Sequence, residues 1–295
     1  MLLGHQNIVK DFETLAANGN LGQSYLFFGP AMTGKKTLAL AFARFLETGS
    51  WESAHEHEIL QDAKVIDLAF MRGLEVGTKD SIGIEAAREA QHFLWQRPAV
   101  SARRTLIIDD AEMLTAEAQN ALLKVTEEPP ASSLLIFVAS DADVILPTIL
   151  SRVQKRYVGT VARADMVAWL AKHHAVPKPK ADQAAERSFG KPGLAWRLLF
   201  DEDFQDRLAL AEKFLKTTPA GRRDFVKDLI EPDDFKLRQF LGAVALQLAW
   251  SASHGAIAKP ADKRMASLWH KTLALQDTAT NFGLNPRLQL ENLLI

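Results

Sequence analysis

The chain has no cysteine among its 295 residues. Disulfides and thiolate metal sites are therefore excluded, and the composition suits a reducing compartment such as the cytoplasm. A dominant charge is lacking too: 35 Lys and Arg stand against 36 Asp and Glu, a formal net charge of −1. That leaves no overall electrostatic footprint for nucleic acid, so any contact with DNA would be local or shared with other chains. No apolar run approaches the roughly 20 residues that cross a bilayer, so no membrane partner is expected. The opening Met1-Leu-Leu-Gly-His-Gln6 does not have the basic-then-apolar layout of an export signal. Internal repeats and low-complexity tracts are absent from the sequence. What remains is 47% hydrophobic and 24% charged, an ordinary globular composition with length for two or three domains.

Residues 29–37 read Gly-Pro-Ala-Met-Thr-Gly-Lys-Lys-Thr. Gly29, Gly34 and Lys35 keep the G-x-x-x-x-G-K spacing of a phosphate-binding loop, with Pro30 and Thr33 inside it. Ser24-Tyr-Leu-Phe-Phe28 before it reads as a short buried strand. Lys35 to Leu46 after it is dense in Ala and Leu and reads as a buried helix. In that context the loop's backbone N–H groups and the positive end of the helix dipole can cradle phosphate, and Lys35 would reach the β- and γ-phosphates. The next position of such loops carries the hydroxyl that ligates Mg²⁺, and here it is Lys36. Thr37 lies about 100° further round the helix and is no simple replacement.

Along the first half, apolar strands alternate with helices. Strands are expected at Lys64–Leu68, Thr105–Asp109, Leu134–Ala139 and Lys155–Val158. Helices are expected at Ile82–Trp95 and Ala116–Glu128, the second opened by Thr115 as N-cap and closed by Pro129-Pro130. This alternation predicts a parallel sheet covered on both faces. After about residue 160 the strands stop. Short helices are expected at Asp165–His174, Ala181–Phe189 and Leu194–Phe200, separated by Val176–Lys180 and by Gly190–Gly193. From about Asp203 the pattern is helical to the end, with an apolar stretch at Phe240–Trp250 and a loop at Gly255–Asp262.

Leu106-Ile-Ile-Asp-Asp110 places Asp109 at the C-terminal end of a sheet strand, where open α/β sheets bind ligands. A carboxylate there can hold a metal or its water shell, and Asp110 could polarise an attacking water. A solvated turn with two acids is the plainer reading. Ser140 ends the next strand, either as a turn residue or beside a γ-phosphate. Arg152, after Leu146-Pro-Thr-Ile-Leu150 and Ser151, reads by itself as a surface charge.

Four stretches together resemble bacterial clamp-loader subunits of the AAA+ class. They are Gly4-His5; Leu26-Phe-Phe-Gly-Pro30 running into Gly34-Lys-Lys-Thr37; Leu106-Ile-Ile-Asp-Asp-Ala-Glu-Met-Leu114; and Glu117-Ala-Gln-Asn-Ala-Leu-Leu-Lys-Val-Thr-Glu-Glu-Pro-Pro130, continuing to Ser151-Arg152. Ser81-Ile-Gly-Ile84 and Gly190-Lys-Pro-Gly-Leu-Ala195 resemble the delta-prime type of DNA polymerase III. The resemblance covers residues 1 to about 200. It implies an α/β AAA+ domain at 1–160 with a phosphate-loop parallel sheet, a small helical lid at 161–202, and an all-α collar at 203–295. Ser140 would sense the γ-phosphate, and Arg152 would be an arginine finger reaching the ATP of a neighbouring subunit. The implied partners are gamma/tau-type and delta-type subunits in a hetero-pentameric ring, the sliding clamp, and primed DNA through the complex.

Several positions depart from the family pattern. Lys36 removes the Mg²⁺-ligating hydroxyl. Asp110 stands where motor subunits carry a catalytic Glu one methylene longer. Gly193 stands where they carry a lid arginine, with Arg197 nearby. Val153 replaces the Cys after Ser-Arg. The family's zinc-binding insertion corresponds to Glu47–Glu58, where His55 and His57 have no thiolate to join them, so no zinc is expected. These departures predict ATP held weakly or without hydrolysis, doubtful Mg²⁺, and a subunit whose working residue is Arg152. A gamma/tau-type motor, a phosphate-loop NTPase outside replication, and an adaptor that never meets nucleotide stay open as alternatives.

Overall fold

The computed structural model of the protein describes residues 2–52, 59–67, 81–218, 221–231, 235–253, 261–281 and 285–293. Within them the chain divides into two compact units, Met1–Ala195 and Trp196–Ile295. The segment set apart by sequence as a lid lies in the first unit as far as Ala195.

The first unit opens with α1 (Gln6–Ala17), β1 (Ser24–Phe28), α2 (Lys35–Thr48) and β2 (Ala63–Ile66). It continues with α3 (Ile84–Trp95), β3 (Arg104–Ile108), α4 (Ala116–Glu127) and β4 (Ser133–Ala139). The short α5 (Pro147–Leu150), β5 (Gln154–Tyr157), α6 (Arg163–His174), α7 (Lys178–Arg187) and α8 (Pro192–Phe200) follow, the unit boundary falling within α8. Each expected strand is present, its bounds shifted by a residue or two; Leu68 lies outside the described residues.

The strands form one parallel sheet in the order β2-β3-β4-β1-β5. Alternate residues of each strand point to opposite faces. Tyr25, Phe27, Ile107, Leu134, Ile136 and Val138 pack against Phe12 of α1 and Leu38, Ala39 and Phe42 of α2. Leu26, Leu106, Ile108, Leu135 and Phe137 pack on the other side against Ala86, Ala90 and Leu94 of α3 and Leu122 and Val125 of α4. Burial on both faces explains why the central strands are unbroken apolar runs. Edge strand β5 is polar and largely exposed at Gln154, Lys155 and Tyr157, which discourages further strand pairing there.

Two expected helix boundaries are corrected. Val176–Lys180 is not wholly a separator, because α7 already begins at Lys178 with Pro179 in its first turn. Gly190–Gly193 is not a break throughout, because α8 begins at Pro192. In both places the missing proline N–H belongs to the first turn, where it has no helical acceptor to lose.

The second unit is helical: α9 (Glu202–Lys216), α10 (Arg222–Ile230), α11 (Leu237–Ser253), α12 (Ala261–Asn281) and α13 (Pro286–Leu293). Asp201 caps α9 by accepting from Phe204 N–H at 2.9 Å. Phe214, Phe225, Phe235 and Phe240 form its aromatic centre. The buried Gln247 amide of α11 donates to Leu208 O of α9 at 3.1 Å. Most of the expected loop at Gly255–Asp262 lies outside the described residues, as do His55 and His57; α12 starts at Ala261. Among the described residues no helix is long and apolar enough to cross a membrane.

Candidate functional site at the phosphate loop

The loop between β1 and α2 is held from three sides. Gly29 has a φ of 141°, and a Cβ there would lie 2.4 Å from Val158 O just beyond β5. Only glycine suits both the conformation and the space. The buried Thr33 hydroxyl lies 2.9 Å from Pro30 O and 3.0 Å from Val158 O. His5 Nε2 donates to Thr33 O at 3.0 Å, which accounts for the Gly4-His5 motif. Gly4 itself runs so close to Val161 that a Cβ would meet its side chain at 2.8 Å. On the third side, Gly193 N–H donates to Met32 O at 3.0 Å, and a side chain at 193 would press on Met32 at 3.2 Å. Gly193 thus brings α8 onto the tip of the loop.

The two lysines that open α2 do different things. Lys35 is buried, and its ammonium donates to Gly29 O at 2.6 Å and Pro30 O at 2.7 Å. Burial pushes it below the ordinary lysine value, and the charges of Glu112, Asp109 and Asp110 work against that shift. Lys36 reaches across to the sheet, 2.7 Å from Asp67 Oδ2 and 3.1 Å from Asp109 Oδ2. Burial alone would lower it; the bond it donates to Asp67 and the Asp109 charge outweigh that and hold it above the ordinary value. Gly34 caps α2 in the left-handed region, and Thr37 is exposed.

The sheet brings most of the other singled-out residues to the same end. Asp109 follows β3, and its N–H donates to Ile66 O at 2.9 Å. Asp110 takes a left-handed φ of 51° and opens the 3₁₀ turn Ala111–Met113. Its carboxyl is raised above the usual range, chiefly by the protein around it and then by Asp109 and Glu112, although its outer edge remains exposed. Ser140 follows Ala139, the register partner of Phe28, so it stands beside the start of the loop, exposed. The Ser81-Ile-Gly-Ile84 motif ties into this corner: Ile82 N–H donates to Met113 O at 2.7 Å, and Thr115 N–H donates to Ile82 O at 3.0 Å.

Arg152 is placed elsewhere, just after α5, and α4 grips the stretch 146–152 at both ends. Near the start of α4, Gln119 Oε1 accepts from Leu146 N–H at 2.8 Å. At its last residue, Glu127 Oε1 meets Arg152 Nη2 at 2.8 Å. Arg152 Nη1 also donates to Thr148 O at 2.6 Å and Ser151 Oγ at 3.0 Å. The Arg152 side chain is 37% exposed. Arg197 lies in the second unit, paired with Asp201 at 2.8 Å and over the Phe204 ring at 4.1 Å.

Sequence reading missed Asp67, Gln119, Glu127 and the role of His5. An acid after Ile66 was visible as a strand-end carboxylate like Asp109. Gln119 and Glu127 lay inside a motif recognised as a string, without roles for its members.

Residues 4–160 match the family described as DNA polymerase III, delta subunit. The chain belongs to this family. It is an AAA+ protein of the clamp-loader subunit class, and the matched span holds the loop, both acids, Ser140 and Arg152. Relatives include the delta' subunit of DNA polymerase III from Escherichia coli, 29% identical over 48% of this chain and 43% of that protein. The delta' subunit from Pseudomonas aeruginosa is 28% identical over 62% of this chain and 58% of that one. The gamma/tau subunit from Mycobacterium bovis is 29% identical over 51% of this chain and 27% of its own length. The chain therefore spans between about a quarter and three-fifths of these curated relatives. A gamma subunit-related protein from Thermotoga maritima shares the fold, with TM-score 0.59 and 18% identity over 96% of this chain and 97% of that one.

Proposed function

We propose that this clamp-loader-family chain is a delta-prime-type subunit, a stator that does not turn over ATP itself. It joins gamma/tau-type and delta-type subunits in a hetero-pentameric ring in the cytoplasm and supplies Arg152 to the nucleotide of its neighbour. Through that ring it serves loading of the sliding clamp onto primed DNA. The observation that carries this reading is the contrast between two cations. Lys36 is engaged with Asp67 and Asp109 inside the chain's own site, whereas the Arg152 guanidinium sits at the surface, held in place by α4 and α5. A guanidinium offered to a neighbour's phosphates stabilises the charge that develops in phosphoryl transfer, and such a finger is worth about 10³–10⁵ in rate.

In the chain's own site, the backbone of Gly29 to Lys35 would take phosphate weakly, with the Lys35 ammonium turning away from Gly29 O and Pro30 O to meet it. Ser140 stands at the strand end beside that position. Asp110 is one methylene shorter than the glutamate of motor subunits, so it would activate a water only at closer approach.

Reconstituting the loader with Arg152→Ala tests the assignment. ATP hydrolysis and clamp loading fall while assembly persists; unchanged rates would remove the finger. A second reading, a gamma/tau-type motor, is favoured by gamma/tau relatives whose identity of 29% equals that of a delta' relative. Turnover by the isolated chain, abolished by Lys35→Ala, would decide for the motor.

A further inference from the structure

Asp67 and Asp109 are neighbours because of strand register. Ile66 pairs with Ile108 in parallel β2 and β3, so the next residue of each strand is Asp67 and Asp109 respectively. Ile66 and Ile108 point into the α3–α4 side of the sheet. Alternation turns the two following residues to the opposite face, the one that carries α2. There the first turn of α2 delivers Lys36, with its ammonium 2.7 Å from one carboxylate and 3.1 Å from the other.

A phosphate loop of this fold ordinarily works with Mg²⁺, which requires near-octahedral oxygen ligation at about 2.0–2.1 Å and keeps several waters. Strand-end carboxylates and a hydroxyl in the first helical turn supply that oxygen set. Here the hydroxyl position is Lys36, and its ammonium stands between the acids that remain. A divalent cation meeting both carboxylates would have to share their oxygens with a fixed positive charge a few ångströms away. The residues present therefore do not fit the metal.

We propose that Lys36 is a tethered substitute for the divalent cation: its ammonium pairs with both strand-end acids, Asp67 and Asp109, and excludes Mg²⁺ from the loop. The substitution has consequences for binding. One ammonium brings to the two carboxylates half the charge that a divalent ion would bring. The ammonium is also tied to α2 and cannot travel with a nucleotide. The loop corner then keeps its folded geometry without metal, at the cost of the field that would draw in a polyphosphate.

This inference deepens the reading of the chain as a non-hydrolysing subunit, yet its test does not involve Arg152. The purified full-length chain is titrated with Mn²⁺, and binding is read as loss of the free Mn²⁺ resonance signal. Wild type, Asp109→Asn, Lys36→Ser and the triple variant Lys36→Ser with Asp67→Asn and Asp109→Asn are compared, each checked for folding by circular dichroism. Wild type shows no Mn²⁺ site that Asp109→Asn removes. Lys36→Ser gains one site, at least about ten-fold tighter than any in wild type, because two hard carboxylates and a hydroxyl then face the ion. The triple variant loses that site. If Lys36→Ser does not fold, Lys36→Ala replaces it in the same titration, with the same gain expected once the ammonium no longer competes for the two carboxylates. A wild-type Mn²⁺ site lost in Asp109→Asn, or no gain in the folded Lys36 variant, overturns the proposal. A loader in which Arg152→Ala changes nothing would leave it standing, so the two readings fail separately.

Discussion

The carboxylate of Glu127 meets the guanidinium of Arg152 at 2.8 Å, joining the last residue of α4 to the segment that follows α5. With Thr148 O and Ser151 Oγ on Nη1, this fixes the guanidinium plane. The pair is too exposed to matter much for stability: exposed ion pairs contribute roughly 0–1 kcal/mol. For the proposed finger its value would be in orientation, since a fork held in place loses less freedom when it meets a phosphate. Glu127→Ala is therefore expected to leave the melting temperature nearly unchanged and to slow loader ATP hydrolysis by about 2–10-fold, short of the loss in Arg152→Ala. A faster rate in Glu127→Ala would show that the carboxylate restrains the guanidinium instead of orienting it.

Gln119 holds Leu146, at the start of α5. Gln119→Ala leaves Leu146 N–H without its acceptor at 2.8 Å and removes two weak donor contacts, to Leu114 O and Val144 O, each at 3.4 Å. Stability is expected to fall by about 1–3 kcal/mol in urea denaturation. Amide exchange should rise first around 144–152, because that stretch loses its tie to α4.

Asp62 is a structural acid. Buried just before β2, it accepts from the N–H groups of Ala99, Val100 and Ser101 at 2.7, 2.8 and 2.8 Å. Burial acts to raise its carboxyl, but the backbone bonds prevail and hold it below the usual range. A group depressed in the folded state contributes stability above its unfolded pKa, and that contribution disappears as pH falls through the folded value. Acid unfolding of wild type should thus include a component absent from Asp62→Ala, seen in melts from pH 7 downward. At neutral pH the variant should lose about 1–3 kcal/mol, three backbone N–H groups having lost a charged acceptor.

Gly29 and Gly34 offer a contrast within one motif. Both have positive φ, but a Cβ at Gly29 collides with Val158 O at 2.4 Å, whereas at Gly34 nothing lies within 4 Å. Gly34→Ala should cost only backbone strain, about 1–2 kcal/mol. Gly29→Ala should cost clearly more, since β5 must move from the loop. Equal melting temperatures for the two variants would contradict the close approach of Val158.

Much of the first unit was legible because its signals are local. Apolar runs at Leu106–Ile108 and Leu134–Ala139 specify buried strands whatever surrounds them. Gly29, Gly34 and Lys35 identify the loop by spacing, and the Thr115 side chain does cap its helix, accepting from Ala118 N–H at 3.2 Å. The helix starts at Lys178 and Pro192 were less legible, because proline both breaks helices and opens them, and only the following packing tells which. Gly193 looked like a missing arginine and is also a contact: its backbone rests on Met32.

By itself the sequence determined the alternation of strands and helices, the phosphate loop, the loss of the hydroxyl at Lys36, and the Ser151-Arg152 pair. Those depend on residue type and near-neighbour spacing, which a linear chain states outright. Tertiary structure alone decided that Asp67 stands beside Asp109, that Lys36 bridges them, and that Glu127 holds Arg152. Each of those contacts joins segments far apart in the chain. They exist because parallel register and helix packing, set by the whole core, bring the side chains within reach.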